Sequence, residues 1–321
     1  MRKWGITALV MVGLLGALLW YFLAPAVSAE PPDTGRFSAG SLEHDGLTRE
    51  YQVFLPETLN PAAGLLVVAH GSLQTKDSIR RFSGYGFEHL ATQHGFAVVY
   101  PQGIEKNWND CRAAASYPAK VRNIDDTGFI SALLEKLRND YDMTNAPAYL
   151  AGFSNGAHLG FKFMFEHPGV FDAVAAVSAN LPAPGYSDCR TGVTATPLML
   201  INGTDDPINP FNGGQVTLFG VGDRGQVMSS SQTAAYFAGL FAGTSLVKTQ
   251  EVLNVNHHDV GVRTVWSDRN VPRVSLIEVS GGGHTVPQPG YRAPRLLGNT
   301  VSAINAPHEI WAFFRRTAAQ E

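Results

Sequence analysis

The chain has 321 residues, 45% of them hydrophobic and 16% charged, with 24 Lys and Arg against 27 Asp and Glu for a formal net charge of −3. A mildly acidic chain without a Lys/Arg cluster lacks the electrostatic footprint that phosphate backbones require, so nucleic acid is not expected as a partner. The length suffices for one large α/β domain, and no internal repeat, low-complexity tract or Pro/Ser-rich linker divides it.

Met1, Arg2 and Lys3 make a basic start, residues 4–24 carry no charge, and Val27-Ser28-Ala29 follows. This pattern predicts an export signal over 1–29, cleaved after Ala29, ahead of a single catalytic domain over 30–321. The apolar run is also long enough to cross a bilayer, so an uncleaved anchor, with the membrane contact it brings, is the alternative. Either version puts the domain outside the cytoplasm, secreted or periplasmic. The two cysteines, Cys111 and Cys189, would then sit in an oxidising compartment, which favours a disulfide over two free thiols.

Residues 49–55 alternate Tyr51, Val53 and Leu55 with polar neighbours, as a half-exposed edge or hairpin strand does. Residues 65–69, 96–99, 148–151, 174–177 and 197–201 are continuous apolar runs, and 274–279 is one with two polar interruptions; such runs suit central parallel strands covered on both faces. Helical stretches intervene. Asp125 or Asp126 can cap a helix whose stripe is Phe129, Ile130, Leu133, Leu134 and Leu137, and Pro307 starts another carrying Ile310, Trp311 and Phe314. Strands alternating with helices imply a mostly parallel, doubly wound sheet with helices on both faces, whose site lies at the carboxyl ends of the strands.

Directly after the run at 148–151 comes Gly152-Phe153-Ser154-Asn155-Gly156, followed by a helix-like stretch that stops before Pro168. Strand, G-x-S-x-G, helix is the context of a nucleophile elbow: the glycines let neighbouring backbone approach, and the strained turn pushes the serine hydroxyl toward substrate. A glycine-rich turn with an exposed serine is the bland alternative. Acyl transfer by serine also needs a base, a carboxylate to orient it and donors for the oxyanion. The chain offers Ser154, then Asp206, then His284, each just beyond an apolar strand, in the order of α/β-hydrolases. Asp206 is preferred to Asp205 because it begins the Asp206-Pro207 turn, and His284 alone among the 10 histidines follows a glycine triplet at a strand end. One oxyanion N–H is expected from Asn155, after the nucleophile, and another from Ser72 or Leu73 in the turn after His70, with His70 orienting that turn. If His284 is the base, the rate should fall as pH drops through the range in which histidines protonate.

Other candidates carry less. His257-His258-Asp259 has no second ligand pair at metal-binding spacing, so no metal is expected. Trp108 and Phe211 sit on loops leaving the catalytic edge, where either could wall a substrate pocket. The loops of Cys111 and Cys189 leave that same edge.

Taken together, HGS at 70–72, WND at 108–110, DDTGF at 125–129, GFSNG at 152–156, GTDDPINPFNGG at 203–214 and GGGHTVPQPG at 281–290 resemble the exported polyhydroxybutyrate depolymerase and feruloyl esterase-like family of α/β-hydrolases, over roughly residues 51–314. The resemblance implies hydrolysis of carboxylic esters by Ser154, Asp206 and His284 without metal or organic cofactor, on small or oligomeric ester substrates. Many relatives carry GGGHTWPG, so Val286 marks a departure on the alcohol side. Two rival readings are a serine peptidase, since a triad does not choose between amide and ester, and an exported binding protein on the same fold.

Overall fold

The computed structural model describes residues 2–190, 194–241, 243 and 245–318, with side chains from residue 11 onward; Met1 and the side chains of Arg2 and Lys3, the basic start of the expected signal, lie outside the described residues. Ten strands form one sheet: β1 (Arg36–His44), β2 (Leu47–Leu55), β3 (Leu65–Ala69), β4 (Ala97–Pro101), β5 (Ala148–Phe153), β6 (Ala173–Val177), β7 (Leu198–Gly203), β8 (Val247–Val255), β9 (His258–Asp268) and β10 (Val271–Val279). Their spatial order is β8-β9-β10-β7-β6-β5-β3-β4-β2-β1. The six strands from β10 to β4 run parallel to one another, while β1, β2, β8 and β9 extend the sheet antiparallel at its two ends.

The continuous apolar runs are explained by two buried faces. Leu65, Val67, Leu150, Val174, Leu200 and Leu276 pack into one core layer. It lies under α5 (Asp126–Asp140), α6 (Asn155–Glu166) and α7 (Ser230–Gly239). Their neighbours Leu66, Val68, Tyr149, Ala151, Met199, Ile201 and Ile277 point the other way, under α2 (Lys76–Phe82), α3 (Gly86–His94) and α8 (Ala306–Ala318). Side chains alternate across a strand, so a strand covered on both faces must be apolar at every position. Outside these layers lie the short α4 (Pro118–Val121) and the N-terminal α1 (Arg2–Leu23), which exposes Met11, Leu14, Leu18 and Trp20. Among the residues whose side chains are described, no helix is long and apolar enough to cross a membrane.

The structure makes two of the sequence readings specific. The strand at 49–55 is a hairpin strand but not the edge: β1 covers its outer side, pairing Arg36 with Leu55 through His44 with Leu47. The polar position Arg49 is buried, its Nη2 2.5 Å from Asp126 Oδ1 and its guanidinium 4.1 Å from the Phe129 ring centroid. The pair His257-His258 spans the β8–β9 hairpin, where Asn256 and His257 take φ of 51° and 65°; this is the positive-φ pair that a two-residue hairpin turn needs.

Strand order also locates the crevice. The chain passes from β3 to β4 on one side, returns to β5 on the other side of β3, steps outward through β6 and β7, and then crosses to the far edge at β8 and comes back through β9 to β10 beside β7. The order reverses between β3 and β5, so the turns following these two strands flank the switch point where open α/β sheets bind their ligands. Those turns carry His70-Gly71-Ser72 and Ser154.

Candidate active site

Ser154 has φ 53° and ψ −114°, a strained conformation for a residue with a side chain, between the end of β5 and the first residue of α6. Glycines make the approach possible. A Cβ on Gly156 would lie 2.3 Å from Ala69 O and 2.7 Å from His70 O, and one on Gly152 would lie 2.3 Å from Gly156 O. The elbow is thus wedged against the end of β3, which fixes the serine beside the HGS turn.

The residues after β7 and β10 meet it there. His284 Nε2 lies 2.9 Å from Ser154 Oγ, and His284 Nδ1 lies 2.8 Å from Asp206 Oδ2 and 3.0 Å from Oδ1. Asp206 Oδ1 also accepts the N–H groups of Ile208 and Asn209, each at 2.8 Å, so the carboxylate is held before the histidine reaches it. Asp205 is exposed and takes no part; its backbone N–H donates to Gly282 O. His284 is fixed from behind by its own N–H to Leu297 O at 2.7 Å, with Phe153 5.1 Å away, ring to ring. Asp206 and His284 are buried, and Ser154 is half-buried.

Two backbone N–H groups in these turns have no hydrogen-bond partner among the described residues. One is that of Asn155, which opens α6, where an N–H has no intrahelical acceptor, and the other is that of Ser72. Leu73 N–H, the other candidate, donates to Lys106 O at 2.9 Å. His70 is buried beneath the turn. Its Nε2 accepts Gly103 N–H at 3.0 Å, which leaves Nδ1 to carry the proton donated to Gly71 O at 2.8 Å. Burial pushes its pKa down to about 4.

Trp108 does not line a pocket, contrary to expectation. It is fully buried: its Nε1 donates to His70 O at 2.8 Å and its ring sits 4.8 Å from the His70 ring. The aromatic is consumed in holding the HGS turn. Phe211 is half-buried on the loop after Asp206, its carbonyl accepting Ser230 N–H. Cys111 and Cys189 form a disulfide, 78 residues apart in sequence, beside the Arg112–Ser187 bridge.

A buried network behind the elbow has no counterpart in the sequence reading. The Asn155 side chain accepts Trp108 N–H at 2.7 Å and donates through Nδ2 to Trp108 O at 3.0 Å and Asp110 Oδ2 at 2.7 Å. Asp110 also binds the Arg112 guanidinium and, at 2.6 Å, Tyr117 Oη. Burial alone would raise the Asp110 carboxyl, but the Arg112 charge beside it wins and holds it well below the usual carboxylate range. The side chain of the residue after the nucleophile is therefore anchored to both the Trp108 backbone and the Asp110 carboxylate. Among the described residues no cluster of three or more His, Cys, Asp or Glu could hold a metal ion.

The neutral, buried His70 implies acid lability. Its folded-state pKa of about 4 lies below the ordinary histidine value of about 6.5, so between those values the unfolded chain binds the proton and the folded chain does not. Stability should therefore fall as pH drops from about 6.5 to about 4, with a contribution on the order of 3 kcal/mol from this residue. Urea unfolding at several pH values checks it: the slope across that window should be shallower in His70→Gln than in the wild type. Equal slopes would remove His70 from the account.

Residues 50–215 match the family model described as esterase PHB depolymerase. The chain is 27% identical over 256 residues to the putative esterase NocK of Nocardia uniformis subsp. tsuyamanensis, covering 75% of this chain and 72% of that one. It is 28% identical over 278 residues to feruloyl esterase C of Emericella nidulans, covering 83% of each. Among solved structures, the acetyl xylan esterase from Aspergillus awamori superposes with a TM-score of 0.55 at 17% identity, over 78% of this chain and 95% of that one, a likeness of fold.

Proposed function

This chain belongs to the esterase PHB depolymerase family and is a carboxylic-ester hydrolase, and we propose that Ser154, His284 and Asp206 carry out the hydrolysis through an acyl-enzyme. The observation that supports this most is the unbroken hydrogen-bonded line from Asp206 through His284 to Ser154 Oγ. With Nδ1–H donated to Asp206, His284 presents a lone pair at Nε2 to take the serine proton. Ser154 Oγ then attacks the ester carbonyl, and the developing oxyanion accepts the N–H groups of Ser72 and Asn155. His284 returns its proton to the leaving alkoxide, and water deprotonated by the same nitrogen releases the acid.

The substrates we propose are soluble hydroxyalkanoate oligomers or feruloyl-type esters, met by an exported enzyme. The oxidised Cys111–Cys189 pair is consistent with export, since disulfides persist in oxidising compartments. Side-by-side kcat/KM values for a 3-hydroxybutyrate oligomer and methyl ferulate, with Ser154→Ala as blank, separate the two. A strong preference for the oligomer identifies a depolymerase-type esterase, and preference for ferulate a phenolic esterase. Turnover of neither would overturn the substrate proposal.

A further inference from the structure

Between Asp206 and α7 the chain makes an excursion that returns to the site. It projects Phe219 and Val221 into solvent, the two residues 45% and 74% exposed, and brings Arg224 back against the HGS turn. Arg224 Nη1 lies 3.1 Å from Ser72 Oγ, and the guanidinium stands 5.7 Å from the Tyr117 ring centroid. Ser72 is also a residue whose N–H has no hydrogen-bond partner among the described residues.

This arginine is half-buried, and no carboxylate lies within ion-pairing distance of it among the described residues. The carboxylates nearby are committed elsewhere. Asp110 is saturated by Arg112, Tyr117 and Asn155; Asp223 accepts Gly225 N–H at 2.7 Å and the Gln215 amide; Asp188 pairs with Lys120 at 2.6 Å. Burial, and then the like charge of Arg112, lower the Arg224 pKa from its usual value, and Tyr117 and Asp110 offset only part of that. A half-buried guanidinium is costly unless something anionic shares the site, and its planar donor fork suits a carboxylate.

We propose, resting on the ester-hydrolase reading above, that Arg224 is a specificity residue that binds a free carboxylate on the substrate, so that the preferred esters are anionic ones whose carboxylate lies a few atoms from the scissile bond. A 3-hydroxybutyrate oligomer with a free acid end has this chemistry, whereas a neutral alkyl ferulate does not. The excursion thus contributes the charge that selects the substrate, and the oxyanion turn and the selecting cation are joined through Ser72.

The test compares kcat/KM for the 3-hydroxybutyrate dimer as free acid and as methyl ester in the wild type, Arg224→Gln and Arg224→Lys. The wild type should favour the acid over its methyl ester by on the order of tenfold to a hundredfold, mostly through KM, and the preference should shrink with added salt. Arg224→Gln should collapse the ratio toward one and Arg224→Lys should restore part of it. If Arg224 merely supported the turn, both activities would fall together with their ratio unchanged, which would overturn the assignment, as would a wild-type ratio near one. Methyl-ester turnover reports the hydrolase reading separately; a wild type inactive on both compounds would overturn that reading and this inference together.

Discussion

Ser154→Ala is expected to lower kcat for ester hydrolysis by about 10^5-fold to 10^6-fold, and His284→Ala by a similar factor. The reason is geometric: Ser154 Oγ and His284 Nε2, 2.9 Å apart, act as one proton-transfer unit, so removing either member removes the function of both. The double variant should consequently be no slower than either single one. Asp206→Asn keeps the size of the side chain but loses the charge that fixes the imidazole tautomer, and should cost about 10^4-fold. Initial rates on a p-nitrophenyl ester check all four variants. Additive losses in the double variant would mean that the two residues act independently, against the proposed proton transfer.

The second large effect is on stability. Asp110→Leu should destabilise the fold by about 4 kcal/mol, because it leaves the Arg112 guanidinium buried without its carboxylate and the Asn155 amide and Tyr117 hydroxyl without their shared acceptor. Adding Arg112→Met should recover much of that loss, since a buried pair replaced by apolar groups is often nearly neutral whereas a broken pair is not. Urea denaturation of the wild type and both variants measures it. A loss below about 1 kcal/mol would show that the network is hydrated and carries little of the local stability.

The parts of this molecule that could be read from sequence are those in which local chemistry and tertiary role coincide. Gly152 and Gly156 are required by backbone atoms less than 3 Å from their missing side chains, and the strands from β3 to β7 are apolar along almost their whole length because both faces are covered. The antiparallel ends were less legible. Strand β8 is exposed along most of its length and β1 nearly so, which leaves no apolar face to set a period. Trp108 misled for the opposite reason: an aromatic on a loop reads as a pocket wall, but here the loop passes behind the HGS turn and the indole N–H is needed for His70 O. Asp110 and Arg112 are two residues apart, a pattern that ordinarily marks a solvated turn, and only the fold reveals that Asn155 lies against them. The hint the sequence carried was the WND motif at 108–110. Arg224 offered none, because its role depends on an excursion with no periodicity and on a partner, Ser72, 152 residues away in the chain.

The central claim is that His284 activates Ser154 as a nucleophile. Intact-mass and peptide mass spectrometry after treatment with a fluorophosphonate tests it most directly. The wild type should take up one equivalent, mapped to Ser154, with Ser154→Ala unlabelled and His284→Ala labelled far more slowly. An unreactive wild type, or labelling that persists in Ser154→Ala, would contradict it.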